Sequence, residues 1–477
     1  MKQLLVLLFV FFQFSSFSQK TDTVFKDLDV FDLQYVSNPQ ISPDGSVIIY
    51  RRMSFDILKD RSVGNLWIIN SDGTNHQKLT SIESAEYGAV WSPSGDRLAF
   101  ISSTDQGPEI YMYWNNSAKY ARISQLDGSP SNLAWSLNGE SLAFTMKVKT
   151  PPPVLAKMPK KPNGAKWAKT ARITDRIYHE ADGKGYIGTG FTHIFLISAE
   201  GSGIRQLTSG DFNHLGPLSW SKSNSKIYFT SNRSDSWEYE FRNSDIYSID
   251  INDKKIISLT DRNGPDFTPK ESPNGKYIAY LGFEDRVQAY QNTELLIMDS
   301  NGKNKRVLSF NIDSSISSFY WSSDNKGIYC TYDKYGDTKI AYLNLEGNSK
   351  DLANNLGGNS IGRPYGGGSF SVSKNGVIAY TNTIYKHPSE LTVVKGKKTN
   401  QITSLSYELL KNRTLGKVEE VWYKSSFDNR DIQGWVVYPP NYNSEKKYPF
   451  LVENHGGPIS NYGSRFSAEV QLFAAAG

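Results

Sequence analysis

A histidine, two glycines and a proline at residues 455–458 form the segment of this sequence best suited to chemistry. The segment comes directly after residues 448–454, an apolar run that predicts a β-strand. Because they lack a Cβ atom, Gly456 and Gly457 let the backbone approach a bound molecule closely and point an N–H group at it. Such a group stabilises the negative charge that develops on a carbonyl oxygen during acyl transfer. The pattern therefore predicts an oxyanion-binding loop that begins at His455.

A second candidate is the acidic pair Glu238 and Glu240, which lies within residues 237–242. Two carboxylates on an excursion from a β-rich domain can bind the free amino terminus of a peptide where the site is partly shielded from water. The alternative is an ordinary solvated connector with the same residues. Both interpretations stay open on the sequence alone.

Two further motifs match catalytic patterns in the wrong context. Ser360 fits G-x-S-x-G, yet a nucleophile elbow needs a strand before it and a helix after it. Instead, Ser360 lies in a loop rich in glycine and asparagine, ahead of the predicted oxyanion loop. Residues 183–188 fit G-x-G-x-x-G but open no helix and follow no clear strand. The sequence argues against a nucleophile at Ser360 and against a dinucleotide site at residues 183–188.

Cysteine and histidine usage gives little support to other chemistries. The single cysteine, Cys330, lies in an alternating apolar run that predicts a buried thiol on a strand. The six histidines include no H-x-x-x-H pair and no Cys-His cluster, so the sequence predicts no metal site.

The elements around the His-Gly-Gly sequence predict a small α/β region. Alternating or apolar segments predict strands at 418–427, 431–438 and 448–454, and residues 469–476 predict a helix. This pattern differs from that of the preceding chain. We therefore expect a second domain to begin near residue 415 and to include residues 415–477.

The larger part of the chain is repetitive. A tight turn followed by an apolar run recurs seven times, as in WSPSGDRLAF from Trp91. Each copy is followed by a strand, a polar turn and a second strand, as in DIYSIDINDKKIISLT from Asp245. Four short strands at a period of about 50 residues predict propeller blades. We expect a seven-bladed β-propeller over residues 19–410, with an insertion at about 148–186 where the repeat spacing lengthens.

Composition and the first residues limit the class of protein. The net charge of +5 over 477 residues, without an aromatic-basic stripe, gives no support to nucleic-acid binding. Lys2, the apolar run 4–14 and the small residues Ser16 and Ser18 predict a signal peptide over residues 1–18. The run is too short to span a bilayer. We expect export to the periplasm or the extracellular space.

Several stretches of the chain resemble the prolyl oligopeptidase family, most closely its acylaminoacyl-peptidase and dipeptidyl-peptidase-V-like branch. The resemblance extends over essentially the whole mature chain. The stretches that carry it include DVFDLQYVSNPQISPDG from Asp29, FTHIFLISAEG from Phe191, QLTSGDFNHLGPLSW from Gln206, FEDRVQAYQNTELLIMD from Phe283 and ENHGGPISNYGSRFSAEVQLFAAAG from Glu453.

This resemblance implies a mainly β protein, in which a seven-bladed propeller is followed by the first strands of an α/β-hydrolase domain. It implies a serine peptidase that hydrolyses short peptides through an acyl-enzyme, with the propeller restricting access and no metal or organic cofactor. By resemblance, Gly457 donates one backbone N–H to the oxyanion, and His455 and Gly456 shape the loop. In the family the catalytic Ser, Asp and His follow this loop, so residues 1–477 are expected to lack the triad and to be inactive alone.

Two other protein classes stay open. A non-enzymatic exported propeller of the TolB type shares the S-P-D-G turns, and a carboxylesterase shares the His-Gly-Gly loop. The α/β-type residues 418–477 argue against the first class, because a pure propeller protein has no need of them. The repeats argue against the second class, because a carboxylesterase has no propeller.

Overall fold

The computed structural model describes residues 23–151, 153–157, 159–169, 171–358, 360–456 and 459–477. Within these residues, seven four-stranded antiparallel sheets follow one another along the chain. A buried apolar cluster lies at each of the seven junctions between neighbouring sheets, including the junction between the last sheet and the first. The sheets therefore form a closed ring, and the seven-bladed β-propeller predicted from the sequence is confirmed.

Each blade is ordered from its innermost strand outward, and a two-stranded hairpin lies in the insertion of the third blade. Blade 1 contains β1 (Tyr35–Ile41), β2 (Val47–Asp56), β3 (Arg61–Asn70) and β4 (Gln77–Lys78), and blade 2 contains β5 (Glu86–Trp91), β6 (Arg97–Thr104), β7 (Gly107–Trp114) and β8 (Lys119–Arg122). Blade 3 contains β9 (Pro130–Trp135), β10 (Ser141–Val148), β13 (Phe191–Ser198) and β14 (Arg205–Gln206), and the hairpin in its insertion consists of β11 (Glu180–Ala181) and β12 (Gly185–Tyr186). Blade 4 contains β15 (Leu215–Trp220), β16 (Lys226–Ser231), β17 (Asp245–Asp250) and β18 (Ile256–Ser258). Blade 5 contains β19 (Asp266–Glu271), β20 (Tyr277–Gly282), β21 (Glu294–Asp299) and β22 (Arg306–Val307). Blade 6 contains β23 (Ile316–Trp321), β24 (Gly327–Lys334), β25 (Asp337–Asn344) and β26 (Ser349–Ala353). Blade 7 contains β27 (Phe370–Val372), β28 (Ile378–Ile384), β29 (His387–Lys395) and β30 (Lys398–Gln401).

The repeated turn and apolar run, as in WSPSGDRLAF from Trp91, makes hydrogen bonds both within its own turn and to the neighbouring blade. In blade 2, the hydroxyl of Ser92 accepts the backbone N–H of Arg97 at 3.1 Å and so closes the turn after β5. The indole N–H of Trp91 donates to the carbonyl of Gln40 in blade 1 at 2.9 Å. The same indole bond recurs in blades 3, 4 and 6, from Trp135 to Val90 (3.1 Å), from Trp220 to Ala134 (3.0 Å) and from Trp321 to Lys270 (2.8 Å).

The ring closes between blades 7 and 1 without exchange of a strand, since both blades consist of consecutive strands. Val36 and Ile41 of β1 pack in one buried cluster with Leu391 of β29. The backbone N–H of Ile41 donates to the hydroxyl of Ser371 at 2.9 Å. The hydroxyl of Ser389 donates to the carbonyl of Val36 at 2.6 Å. Apolar packing and side-chain hydrogen bonds therefore hold the first and last blades together.

Helices are few and short. They are α1 (Asp29–Asp32), which precedes the first blade, α2 (Tyr407–Leu410), which follows the last, and α3 (Ala468–Ala475). The predicted helix at 469–476 is thus present as α3. In the described residues, no helix has the length and apolar character needed to cross a membrane. The predicted signal peptide, residues 1–18, lies outside the described residues.

Residues 415–477, here called the C-terminal segment, contain one small sheet. Strands β31 (Val418–Lys424) and β32 (Asp431–Val437) pair with each other and match the first two predicted strands. The third predicted strand, residues 448–454, is wrong, because these residues form no strand. A strand needs a hydrogen-bonding neighbour, and in the described residues neither strand of the small sheet pairs with this stretch.

Candidate functional site

One face of the propeller receives the C-terminal segment. Because the strands of each blade are antiparallel, all turns between second and third strands lie on one face, here called the upper face. The β24–β25 turn on this face holds Tyr335, whose ring packs edge-on against Trp422 at a centroid distance of 5.8 Å. The amide nitrogen of Gln433 donates to the carbonyl of Tyr335 at 2.9 Å. The small sheet of the C-terminal segment is therefore docked on the upper face.

The residues that follow the His-Gly-Gly sequence lie against the propeller backbone. The N–H of Gly366 donates to the carbonyl of Asn461 at 2.6 Å, and the N–H of Gly463 donates to the carbonyl of Pro364 at 3.2 Å. A Cβ atom added to Gly463 would overlap the carbonyl oxygen of Gly336. The two backbones approach so closely here that only glycine fits at residue 463.

Arg465 inserts from the C-terminal segment into the propeller. Its side chain is buried and donates to the carbonyl of Gly336 at 2.9 Å, the hydroxyl of Thr338 at 2.7 Å and the carbonyl of Leu356 at 3.3 Å. Burial lowers the pKa of Arg465, and the nearby carboxylate of Asp333 opposes this change. The guanidinium group joins the C-terminal segment to blade 6 and to the chain that leads into blade 7.

Arg363 reaches in the opposite direction, from the loop between β26 and β27 to the C-terminal segment. Its guanidinium donates to the carboxylate of Glu453 at 2.5 Å. It also donates to both carboxylate oxygens of Glu469, from Nε at 2.9 Å and from Nη2 at 3.3 Å. Glu453 precedes the His-Gly-Gly sequence and Glu469 lies in the first turn of α3. One propeller side chain therefore contacts the chain before and after the predicted oxyanion loop.

The predicted oxyanion loop itself is exposed where the structure describes it. The imidazole of His455 lies 4.9 Å from the ring of Tyr462, measured between centroids. A Cβ atom added to Gly456 would meet no atom within 4 Å, so the loop borders open space on that side. Gly457 and Pro458 lie outside the described residues. The described part of the loop has room for a substrate to approach the backbone.

The acidic pair Glu238 and Glu240 lies on the excursion between β16 and β17, also at the upper face. The carboxylate of Glu238 accepts the backbone N–H of Ile177 at 2.9 Å, which ties the excursion to the insertion of blade 3. Glu240 is exposed, and a hydrogen bond from the hydroxyl of Ser236 lowers its pKa. In the described ranges, no hydrogen bond or ion pair joins either glutamate to His455 or the other described loop residues.

In the part of the chain that the structure describes, the remaining motifs lie in a loop, a turn and a strand. The hydroxyl of Ser360 accepts the backbone N–H of Arg363 at 3.2 Å and borders a cavity of about 10 Å³, roughly the size of one water molecule. Gly183 has a φ of +70° in the turn between β11 and β12, and no helix follows it. Cys330 is buried on β24, where burial raises the pKa of its thiol to about 12.

Sequence reasoning missed Arg363 and Arg465, two of the side chains that join the C-terminal segment to the propeller. Each contacts residues more than 100 positions away in the chain, and although Arg465 lies in the stretch from Glu453 that resembles the family, nothing in the sequence indicates the partners of either arginine. One indication of this contact was present in the sequence, namely the glycine-rich stretch 357–368, which was predicted only to be a loop. Glycines such as Gly366 lie where the C-terminal segment approaches the backbone.

Known proteins match this chain along nearly its whole length. Residues 166–284 match a family described as the dipeptidyl peptidase IV N-terminal region. Over 466 residues the chain is 25% identical to dipeptidyl-peptidase 5 of Porphyromonas gingivalis. This match covers 93% of the chain and 65% of the Porphyromonas gingivalis protein. Over 471 residues it is 23% identical to the uncharacterized peptidase YuxL of Bacillus subtilis, with coverages of 94% and 69%. The chain thus spans about two thirds of the length of these relatives.

Among solved structures, acylaminoacyl peptidase of Pyrococcus horikoshii has a similar fold. The TM-score is 0.75 at 16% sequence identity, and the match covers 95% of this chain and 66% of that chain. At this level of identity the likeness concerns the fold alone. Its coverage includes part or all of the C-terminal segment in addition to the propeller.

Proposed function

Because this chain belongs to the prolyl oligopeptidase family of peptidases, we propose that it supplies the propeller and the oxyanion loop of a serine-type peptidase acting on short peptides. In this reaction a serine hydroxyl attacks the scissile carbonyl, the amine product leaves, and water hydrolyses the resulting acyl-enzyme. Among the described residues, no histidine ring is hydrogen-bonded to a serine or an aspartate. The proposal therefore assigns oxyanion stabilisation to this chain and no proton transfer.

The observation that carries the proposal is the docking of the chain before and after the His-Gly-Gly sequence on the upper face of a closed propeller. The chain is held before the loop by the contact of Arg363 with Glu453. It is held after the loop by the insertion of Arg465. We assign one oxyanion donor to the backbone N–H of Gly457, with His455 shaping the loop, since a rigid donor stabilises a developing charge without reorganisation.

The same face carries a second proposed contact with substrate. We assign Glu238 and Glu240 to the free amino terminus of the peptide, which is a cation that a carboxylate pair attracts. Their position on the upper face supports this role, because the predicted oxyanion loop lies on the same face. Each carboxylate already accepts one hydrogen bond, Glu238 from the N–H of Ile177 and Glu240 from the hydroxyl of Ser236, and Glu240 is the more exposed ligand.

We also propose that the protein is exported. The support is the sequence pattern at residues 1–18, in which a positive residue precedes an apolar run and two small residues. A periplasmic or extracellular peptidase of this kind degrades peptides outside the cytoplasm.

The test is the substitution Gly457→Val in the protein produced from its complete coding sequence. We expect kcat for a dipeptide nitroanilide to fall by about 100- to 1000-fold, because the added side chain keeps the oxyanion from its backbone donor. The control is Gly188→Val, the same change at a glycine between β12 and β13 of blade 3, where an added Cβ atom meets no atom within 4 Å. Labelling by a serine-directed fluorophosphonate is measured in parallel.

The two measurements separate the possible outcomes. Unchanged kcat in Gly457→Val would refute the oxyanion role and leave the family in place. Absence of both labelling and hydrolysis in the unsubstituted protein would refute the peptidase proposal. That result would favour the exported binding propeller instead.

A further inference from the structure

We propose that Arg363 is a positioning residue, through which the propeller sets the geometry of the His-Gly-Gly loop. Arg363 belongs to the propeller, since it lies in the loop that connects β26 of blade 6 to β27 of blade 7. The loop that it positions belongs to the C-terminal segment. The inference rests on the proposed function of that loop in oxyanion binding.

The contacts of Arg363 bracket the loop. Glu453 lies two residues before His455, and Glu469 lies in the first turn of α3. The planar guanidinium group meets Glu469 with two of its nitrogens and Glu453 with the third. A fork of donors in fixed geometry orients its acceptors more strictly than a single point charge does. The described residues 454–456 and 459–468 therefore lie between two glutamates, Glu453 and Glu469, that are bound to one side chain.

Arg363 is itself well placed to hold a position. Its own backbone N–H donates to the hydroxyl of Ser360 at 3.2 Å. On either side of it, the carbonyl of Ile361 accepts the N–H of Ala468 at 2.8 Å, and the carbonyl of Pro364 accepts the N–H of Gly463 at 3.2 Å. The backbone around Arg363 is therefore already paired with the C-terminal segment, and the side chain extends this contact to Glu453.

Glu453 lies in a stretch that has few other described restraints. Residues 450–452 beside it are mostly exposed and belong to no strand. The hydrogen bonds between backbones instead cluster after the loop, at Asn461, Gly463 and Ala468. On the N-terminal side of the His-Gly-Gly loop, the described backbone makes few hydrogen bonds. The side chain of Arg363 therefore provides the attachment to the propeller there.

The ion pairs are too exposed to act mainly through stability. The side chains of Arg363, Glu453 and Glu469 are 41%, 52% and 37% exposed. Ion pairs at such exposure contribute little to folding, because water screens them and ordering long side chains costs entropy. In contrast, a displacement of about 1 Å at a catalytic group lowers a rate by about 100-fold. Loss of Arg363 should therefore change turnover far more than it changes the melting temperature.

The test compares Arg363→Gln and Arg363→Lys with the unsubstituted protein, again produced from its complete coding sequence. For Arg363→Gln we expect kcat to fall by about 10- to 100-fold, with KM changed by less than about threefold. Arg363→Lys keeps the charge but loses the fork, so its kcat should lie between the other two. The control is Lys305→Gln, which removes another ion pair of the propeller, to Asp261 at 2.9 Å, and should leave kcat unchanged.

A second measurement does not depend on activity. Cleavage by chymotrypsin after Phe450 or Leu451, which are both exposed, should be faster in Arg363→Gln than in the unsubstituted protein, while cleavage within the blades stays the same. The control Lys305→Gln should be cut after Phe450 or Leu451 at the rate of the unsubstituted protein.

These readouts distinguish the failure of each idea. Faster cleavage after Phe450 or Leu451 in a protein without peptidase activity would support the positioning role and refute the proposed function. Unchanged cleavage would overturn the positioning role, whatever the activity. A fall in kcat matched by a large fall in the melting temperature would also overturn it, since the effect would then be one of folding.

Discussion

The propeller and the C-terminal segment acquire order in different ways. In the propeller, large side chains such as Phe144 and Phe229 are fully buried at the junctions between blades. In the C-terminal segment, Phe427, Phe450 and Val452 are 96%, 80% and 69% exposed. The propeller therefore has a core of its own. The C-terminal segment is held largely by contacts that it makes with the propeller.

Because of this difference, some residues mainly stabilise the fold, whereas others mainly position the C-terminal segment on the propeller. A buried aromatic ring in a blade junction removes apolar surface from water and contributes directly to the free energy of folding. The guanidinium groups of Arg363 and Arg465 instead fix where one part of the chain lies relative to another. Substitutions in the two regions should accordingly change different measurements.

The largest expected effect tests the core of the propeller. Phe144→Ala removes a fully buried ring that stacks on Phe195 at a centroid distance of 5.5 Å. We expect the free energy of unfolding to fall by about 3–5 kcal/mol, because the transfer free energy is lost and a cavity remains. Urea denaturation followed by tryptophan fluorescence measures it.

The matched control is Phe450→Ala in the C-terminal segment. Because this ring is 80% exposed, the free energy of unfolding should change by less than about 0.5 kcal/mol. A similar loss of unfolding free energy in both variants would show that the propeller and the C-terminal segment share one core.

The next effect depends on pH and belongs to the propeller. Burial raises the pKa of Glu390 to about 7, although Thr403 and the backbone N–H of Leu405 donate to its carboxylate. Between about pH 4.5 and pH 7 the folded protein therefore binds more protons at this group than the unfolded chain does. Its contribution to stability is complete below about pH 4.5 and is lost as the pH rises through 7. We expect this loss to amount to about 1–3 kcal/mol.

Glu390→Gln isolates this contribution, because an amide does not titrate. Urea denaturation at a series of pH values should show a flatter dependence between pH 4.5 and pH 7 in the variant than in the unsubstituted protein. An unchanged slope would assign the pH dependence to other groups. Protonation of Glu390 would then make no contribution to the pH dependence of propeller stability.

The smallest effect concerns α3 of the C-terminal segment. The hydroxyl of Ser467 caps this helix by accepting the N–H of Val470 at 3.2 Å and also donates to the carbonyl of Gly362 at 2.6 Å. Ser467→Ala should cost about 1 kcal/mol locally. Hydrogen exchange in α3 should accelerate while the propeller amides stay unchanged, and Ser467→Thr, which keeps the hydroxyl, should preserve most of the protection.

The fold was largely predictable because the propeller repeats itself in sequence. Trp91 and Ser92 have visible counterparts in other blades, and the repeated bonds explain why those residue types recur. The strand at 448–454 was predicted wrongly because an apolar run indicates burial but not a pairing partner. Arg363 was not predictable, since its two partners lie 90 and 106 residues away and only the folded chain brings them together.

The construction of each blade from consecutive strands has a consequence for the order of folding. Most contacts of a blade join residues that are close in sequence, so each blade can form soon after its own residues leave the ribosome. The junction between blades 1 and 7 is the exception, because Ile41 must meet Ser371 across 330 residues. The first blade therefore has one uncovered side until the seventh blade has been synthesised. During that interval, this side of the nascent chain is the surface most in need of protection by a chaperone.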